Sequence, residues 1–94
     1  MFYVYIMTNP TNRVLYVGFT SDLARRVYEH RNKLADSFTK KYNVIKCVYY
    51  ECGDHYDAVL AREKQLKNWR RDKKEFIINQ KNQNWGDLYD EITS

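Results

Sequence analysis

Cysteine is scarce: Cys47 and Cys52 stand five apart, with no CxxC pair and no histidines paired at ligand spacing. That pattern excludes a structural zinc site. Both are expected as reduced thiols, with Cys47 in the core. One proline and three glycines argue against disorder and for ordered elements joined by short turns. Repeats and low-complexity runs are absent. The apolar start, Met1-Phe2-Tyr3-Val4-Tyr5-Ile6-Met7, has no basic leader and is too short to span a bilayer, so it reads as a strand. A cytoplasmic location and no membrane partner are the expectation. Nor does one sign of charge dominate: 16 Lys+Arg against 12 Asp+Glu give +4. That balance permits a polyanionic partner without identifying one.

What the chain has in quantity is aromatic and apolar residues, 16% and 44% of its 94. Such a length supports one domain, 1–94, with a modest core. Phe2 to Thr8 alternates aromatic and β-branched residues and reads as a strand. Asn9-Pro10-Thr11-Asn12 is a turn, since Pro fixes φ and Asn tolerates the left-handed region. Arg13 to Phe19 returns as the second arm of a hairpin. Thr20, Ser21 and Asp22 supply oxygens for a helix start. That helix is expected to reach about Leu34, with Leu23, Val27, His30 and Leu34 on one side, followed by a polar loop from Asp36 to Asn43. Val44 to Glu51 reads as a third strand. A helix capped by Asp54 is expected from His55 to about Arg70. A capping box at Asp72 introduces another over Lys73 to Gln80. Trp85 and Leu88 should pack the tail down. The fold class is α+β: a three-stranded antiparallel-type sheet flanked by helices, in the order ββαβαα.

Several polar residues fall where a core is expected. Glu63 lies on the stripe Val59, Glu63, Leu66, Arg70. A buried carboxylate needs a cation, donors or a metal, and the plain alternative is an i,i+4 pair with Lys67. Arg26 and His30 flank Val27 on the core side of the first helix, where a packed histidine and an Arg26–Glu29 pair are the ordinary outcome. Tyr3, Tyr5 and Tyr16 are, taken singly, strand aromatics. Together these residues gather phenols, a guanidinium, an imidazole and a carboxylate.

In this combination the chain resembles the GIY-YIG nuclease superfamily and, within it, a small single-domain bacterial subgroup. Tyr3-Val4-Tyr5 matches the first triplet, with Tyr3 in place of Gly, and Tyr16-Val17-Gly18 matches the second. Arg26 stands eight residues after Gly18, where the family has an Arg, and His30 follows one turn later. Glu63 within Ala61-Arg62-Glu63-Lys64-Gln65-Leu66-Lys67 corresponds to the family's metal-binding Glu. Asn79 and Asn82 are both candidates for a late family Asn.

The resemblance implies metal-assisted hydrolysis of phosphodiester bonds in DNA, on branched or damaged structures in repair or recombination. Mg²⁺ or Mn²⁺ would be held by Glu63, which suffices because Mg²⁺ keeps most of its waters. Arg26 would neutralise developing charge, Tyr5 would act as base with Tyr16 positioning, and His30 would take the phenolic proton. Arg26 and the metal are expected to lower the phenol pKa. Lys64, Lys67, Arg71, Lys73 and Lys74 are candidates for backbone phosphate contacts. RNA is left open beside DNA, and a protein partner or a dimer is a source of specificity. The competing readings are a nucleic-acid-binding module of the same fold with weak or no cleavage, and a protein-interaction adaptor.

Overall fold

The computed structural model describes residues 1–94. Its elements are β1 (Phe2–Thr8), β2 (Leu15–Thr20), α1 (Leu23–Arg31), α2 (Ser37–Lys41), β3 (Lys46–Gly53), α3 (Tyr56–Asn68), α4 (Arg71–Lys81) and α5 (Tyr89–Thr93). The strands form one antiparallel sheet ordered β2-β1-β3, with the most apolar strand at its centre. The α+β class with three strands is therefore as expected.

Alternation along β1 divides the molecule into two cores. Val4 and Ile6, with Val17 and Val48, meet Val59 and Leu66 of α3 and Ile78 of α4 on one face. Tyr5 and Met7, with Cys47, meet Leu23 and Val27 of α1 on the other. The two-residue period of the strand thus sends the tyrosines toward α1 and the aliphatic residues toward α3. Both flanking layers are needed, because the central strand is buried on both faces.

Local chemistry explains most boundaries. Asn12 takes φ 60 in the hairpin, the left-handed conformation its side chain tolerates. Asn9 Oδ1 accepts from the backbone N–H groups of Arg13 and Val14, so that segment belongs to the turn and β2 starts at Leu15. Asp22 caps α1 by accepting from Arg25 N at 3.2 Å.

Five expectations need correction. The Asp36–Asn43 segment is not a plain loop: Asp36 accepts from Thr39 N at 3.0 Å and starts α2, with Lys40 and Lys41 in its last turn. A further helix, α5, closes the chain, so the order is ββααβααα. Helix α1 stops at Arg31; Lys33 has φ 59 and Leu34 is 66% exposed, outside the apolar stripe. Strand β3 begins at Lys46, two residues after the expected Val44. Neither Asp54 nor Asp72 caps a helix. The N-cap of α3 is His55 and that of α4 is Arg70, both without a side-chain cap bond. Extended backbone at Trp69 and Arg70 separates the two helices, which places Asp72 inside the first turn of α4, where its charge favours the positive helix end.

The tail is held as expected, by Trp85 against the α3 core and by Leu88 N donating to Cys47 O at 2.8 Å. Cys47 is buried, and burial pushes its thiol up to about 12.

Candidate functional site

The hairpin register sets Tyr5 opposite Gly18 and Met7 opposite Tyr16. Tyr5 and Tyr16 therefore project from neighbouring strands on the α1 face, their ring centroids 6.4 Å apart. From α1, His30 enters between them, 5.7 Å from the Tyr5 ring and 5.4 Å from that of Tyr16. The Tyr5 hydroxyl lies 3.1 Å from His30 Nε2. Arg26, one turn earlier, brings its charge near the same phenol and pairs with Glu29 at 3.0 Å. Four of the residues singled out from the sequence thus meet: Tyr5, Tyr16, Arg26 and His30.

Gly18 makes this meeting possible. A Cβ at that position would overlap the Tyr5 ring at Cζ and the hydroxyl oxygen. The phenol occupies the space that any other residue would fill. Gly18→Ala is therefore expected to lower stability by about 1–3 kcal/mol in urea denaturation, as overpacking does, and to displace Tyr5 from His30. An alanine variant with unchanged stability and an unchanged Tyr5 ring environment by NMR would refute the steric account.

Electrostatics in the cluster follow from burial. His30 is 1% exposed, and burial followed by the nearby Arg26 charge lowers its pKa to about 4. It is neutral at pH 7. Neutral His30 can present Nε2 as an acceptor, so the arrangement lets the Tyr5 hydroxyl donate to it with the Arg26 charge close by. His30 Nδ1 has no partner. The Tyr5 pKa is raised by burial, with Arg26 opposing. Tyr16 is raised as well, by burial first and then by Tyr5 and Asp36. The expected lowering by Arg26 is thus outweighed: both phenols keep their protons at neutral pH.

The depressed His30 value has a consequence for folding. Between its ordinary 6.5 and about 4, the unfolded chain binds a proton that the folded chain refuses. Stability is expected to fall with pH across that window, by up to about 3 kcal/mol from this group. In His30→Gln most of the loss between about pH 7 and about pH 4.5 should disappear. An equal pH dependence in wild type and variant would show that His30 is not the titrating group.

Asp36 is the member that sequence reasoning missed. Its Oδ2 accepts from the Tyr16 hydroxyl at 3.0 Å while Oδ1 caps α2. The Thr39 backbone N–H holds its pKa below the usual carboxylate range against partial burial, and Tyr16 assists. The signal was present in Asp36-Ser37-Phe38-Thr39-Lys40-Lys41: a capping residue, then lysines for the helix end.

Glu63 is not joined to this cluster by any hydrogen bond or ion pair. It lies between Val59 and Leu66 on α3, the helix of the opposite face, 8% exposed, with Lys67 Nζ at 2.9 Å from Oε2. The plain i,i+4 pair is thus present. No three His, Cys, Asp or Glu side chains gather as a metal cage. The donor chemistry still fits Mg²⁺, a hard ion that takes one carboxylate and keeps its waters. Strand β2 is an edge of the sheet, and α3 packs on it.

The basic candidates divide. Arg71 makes one bond from each of its nitrogens, Nε to Glu75 at 2.7 Å and the two terminal nitrogens to the carbonyls of Arg13 and Asn12. It ties α4 to the hairpin turn. Lys73 sits over the Trp69 ring at 5.5 Å, and Lys74 is partly buried, its pKa lowered by burial and then by Arg71. Lys64 is exposed. Asn79 accepts from Trp85 Nε1 at 2.6 Å, and Asn82 donates to the carbonyls of Val48 and Gly86. Both asparagines hold the tail and lie outside the cluster.

The sequence pattern described as the GIY-YIG catalytic domain matches residues 1–76. The chain belongs to the GIY-YIG family. Among curated GIY-YIG relatives, it is 37% identical to a UPF0213 protein of Haloquadratum walsbyi over 73 residues, covering 78% of this chain and 81% of that one. A UPF0213 protein of Syntrophus aciditrophicus is 35% identical over 79 residues, with 83% and 90% covered. The solution NMR structure of a UPF0213 protein from Bacillus halodurans superposes with a TM-score of 0.58 at 24% identity, over 90% of each chain, and shares the fold. No helix in this GIY-YIG protein is long and apolar enough to cross a membrane.

Proposed function

We propose that this GIY-YIG protein is a metal-dependent endonuclease that hydrolyses phosphodiester bonds in DNA, on branched or damaged structures of the kind met in repair or recombination. The observation that carries the reading is the convergence of Tyr5, Tyr16, Arg26 and His30 at one place in a chain of this family.

Each side chain has a task its surroundings suit. Tyr16, half-buried, is the phenol that reaches the surface; it directs its proton at Asp36 and so offers oxygen lone pairs to a water. Tyr5, fully buried, takes up the proton from that water as its own passes to the neutral His30. Keeping His30 uncharged at pH 7 leaves it free to receive. Arg26 holds its charge beside the phenols before any reaction, placed for the developing phosphate charge. Glu63 would hold Mg²⁺ or Mn²⁺, which when bound supplies Lewis-acid charge to the phosphate and the leaving oxygen. In this reading Glu63 and the phenols would meet a common substrate around the β2 edge, on which α3 packs, and not through the sheet.

The Glu63–Lys67 pair favours a second reading, a GIY-YIG fold that binds nucleic acid without cutting. Labelled single-stranded, duplex, flap and junction DNAs incubated with Mg²⁺ or Mn²⁺, and with EDTA as control, separate the two. Metal-dependent cuts on branched substrates are expected. Tight, salt-sensitive binding with no product under either ion would support the binding module.

A further inference from the structure

A run of aromatic rings leads out of the cluster to the surface. Phe38 of α2 stacks on Tyr16 with ring centroids 6.2 Å apart and planes 28° from parallel. Tyr42, at the end of α2, follows Phe38 at 4.8 Å. The sequence Tyr5, Tyr16, Phe38, Tyr42 runs from full burial to 45% and 43% exposure. Neither Phe38 nor Tyr42 belongs to either core. Phe38 on the five-residue α2 and Tyr42 at its C-cap thus keep two large rings half in water.

The surroundings are cationic. Lys41 Nζ lies 5.4 Å from the centre of the Tyr42 ring, Lys40 is exposed beside it, and neither lysine enters an ion pair. The Asp36 carboxylate at the start of α2 is engaged by the Tyr16 hydroxyl and the Thr39 backbone N–H. A flat ring presented to solvent beside lysines suits a ligand with flat faces and a negatively charged backbone.

We propose that Phe38 and Tyr42 form a stacking platform for unpaired nucleotides, with Lys40 and Lys41 on their phosphates. The platform deepens the nuclease reading and rests on it: it supplies the substrate class, a strand with unpaired bases next to the bond to be cut. Bases inside a duplex already stack on each other, so apart from its terminal pairs a blunt duplex gains little from these rings. The contiguity with Tyr16 matters as well, since a base on Phe38 places its strand within reach of the phenol cluster. Bases of any kind have a face to stack, so the platform selects strand structure and not sequence.

The test is binding without cleavage: fluorescence anisotropy of a labelled oligothymidylate and of a blunt duplex of equal length, in EDTA. Wild type is expected to prefer the single strand. Phe38→Ala and Tyr42→Ala should each weaken that binding about tenfold, the scale of base–aromatic stacking, with little effect on the duplex and none on the salt slope. Phe38→Trp should keep the affinity, and its fluorescence should be quenched by the oligonucleotide. Equal single-strand affinity in wild type and both alanine variants would overturn the platform. So would a dimer in sedimentation that the alanine variants dissolve while oligonucleotide binding stays unchanged. Binding is read apart from cutting: a chain that shows this pattern but cuts nothing keeps the platform and loses the nuclease, and the converse holds equally.

Discussion

Glu63→Gln is expected to lower Mg²⁺-dependent cleavage by about a thousandfold or more while the fold survives. The size follows from the role: a metal's charge stabilisation in the transition state is worth several kcal/mol, and each 1.36 kcal/mol is tenfold in rate. Survival of the fold follows from the surroundings. Glu63 meets the half-exposed Lys67 as its ion partner, and an i,i+4 pair of this kind contributes less than about 1 kcal/mol. Gln keeps the volume between Val59 and Leu66, so no cavity opens in the α3 core. Single-turnover cleavage beside a urea denaturation curve checks both halves. Cleavage within about tenfold of wild type would make Glu63 an ordinary helix residue and end its candidacy as the metal ligand.

The next largest effect is expected from Arg26→Ala, a fall of about 10²–10³-fold in the rate of cleavage at saturating substrate, the cost of removing one preorganised donor from a developing oxyanion. Arg26→Lys should recover part of it, since a lysine restores the charge but not the forked donors. A second readout separates catalysis from folding. Arg26 is, after burial, the second cause of the low His30 value. Its removal should move the His30 titration upward toward the ordinary range, visible in the imidazole resonances. A fall in rate with an unmoved His30 would mean that the two side chains do not share the cluster. An unchanged rate would remove Arg26 from the chemistry.

Much of this site was legible without coordinates, and for a definite reason. Tyr5, Tyr16, Arg26 and His30 are fixed by short-range rules: period two along paired strands, one hairpin turn, and a four-residue step on a helix. Register did the rest by setting Gly18 under Tyr5. Asp36 escaped because its partner is twenty residues away and its helix has only five residues, too few for periodicity to show. The contacts of Arg71 are hidden in the sequence for the same reason. Its 3-4 spacing with Lys64 and Lys67 suggests a solvated face, whereas its two terminal nitrogens donate to carbonyls of the distant hairpin turn. Asn79 and Asn82 are comparable, polar residues whose partners lie in a tail no local pattern describes.

The phenol pKa values carry a related lesson. The charge of Arg26 beside Tyr5 was readable, but its weight against burial was not, because desolvation depends on how completely α1 and the sheet close over the ring. The raised values turn the mechanism from a standing phenolate toward a proton relayed to His30 as it is received.

Glu63, on one face of the sheet, and the phenol cluster, on the other, are proposed to serve a single site around the β2 edge. Paramagnetic broadening by Mn²⁺, followed in the ring resonances of Tyr5, Tyr16 and His30, tests it most directly. Selective broadening of these rings that vanishes in Glu63→Gln is the expected result. Broadening confined to the α3 residues around Glu63 and Lys67, with the tyrosine rings unaffected, would contradict it.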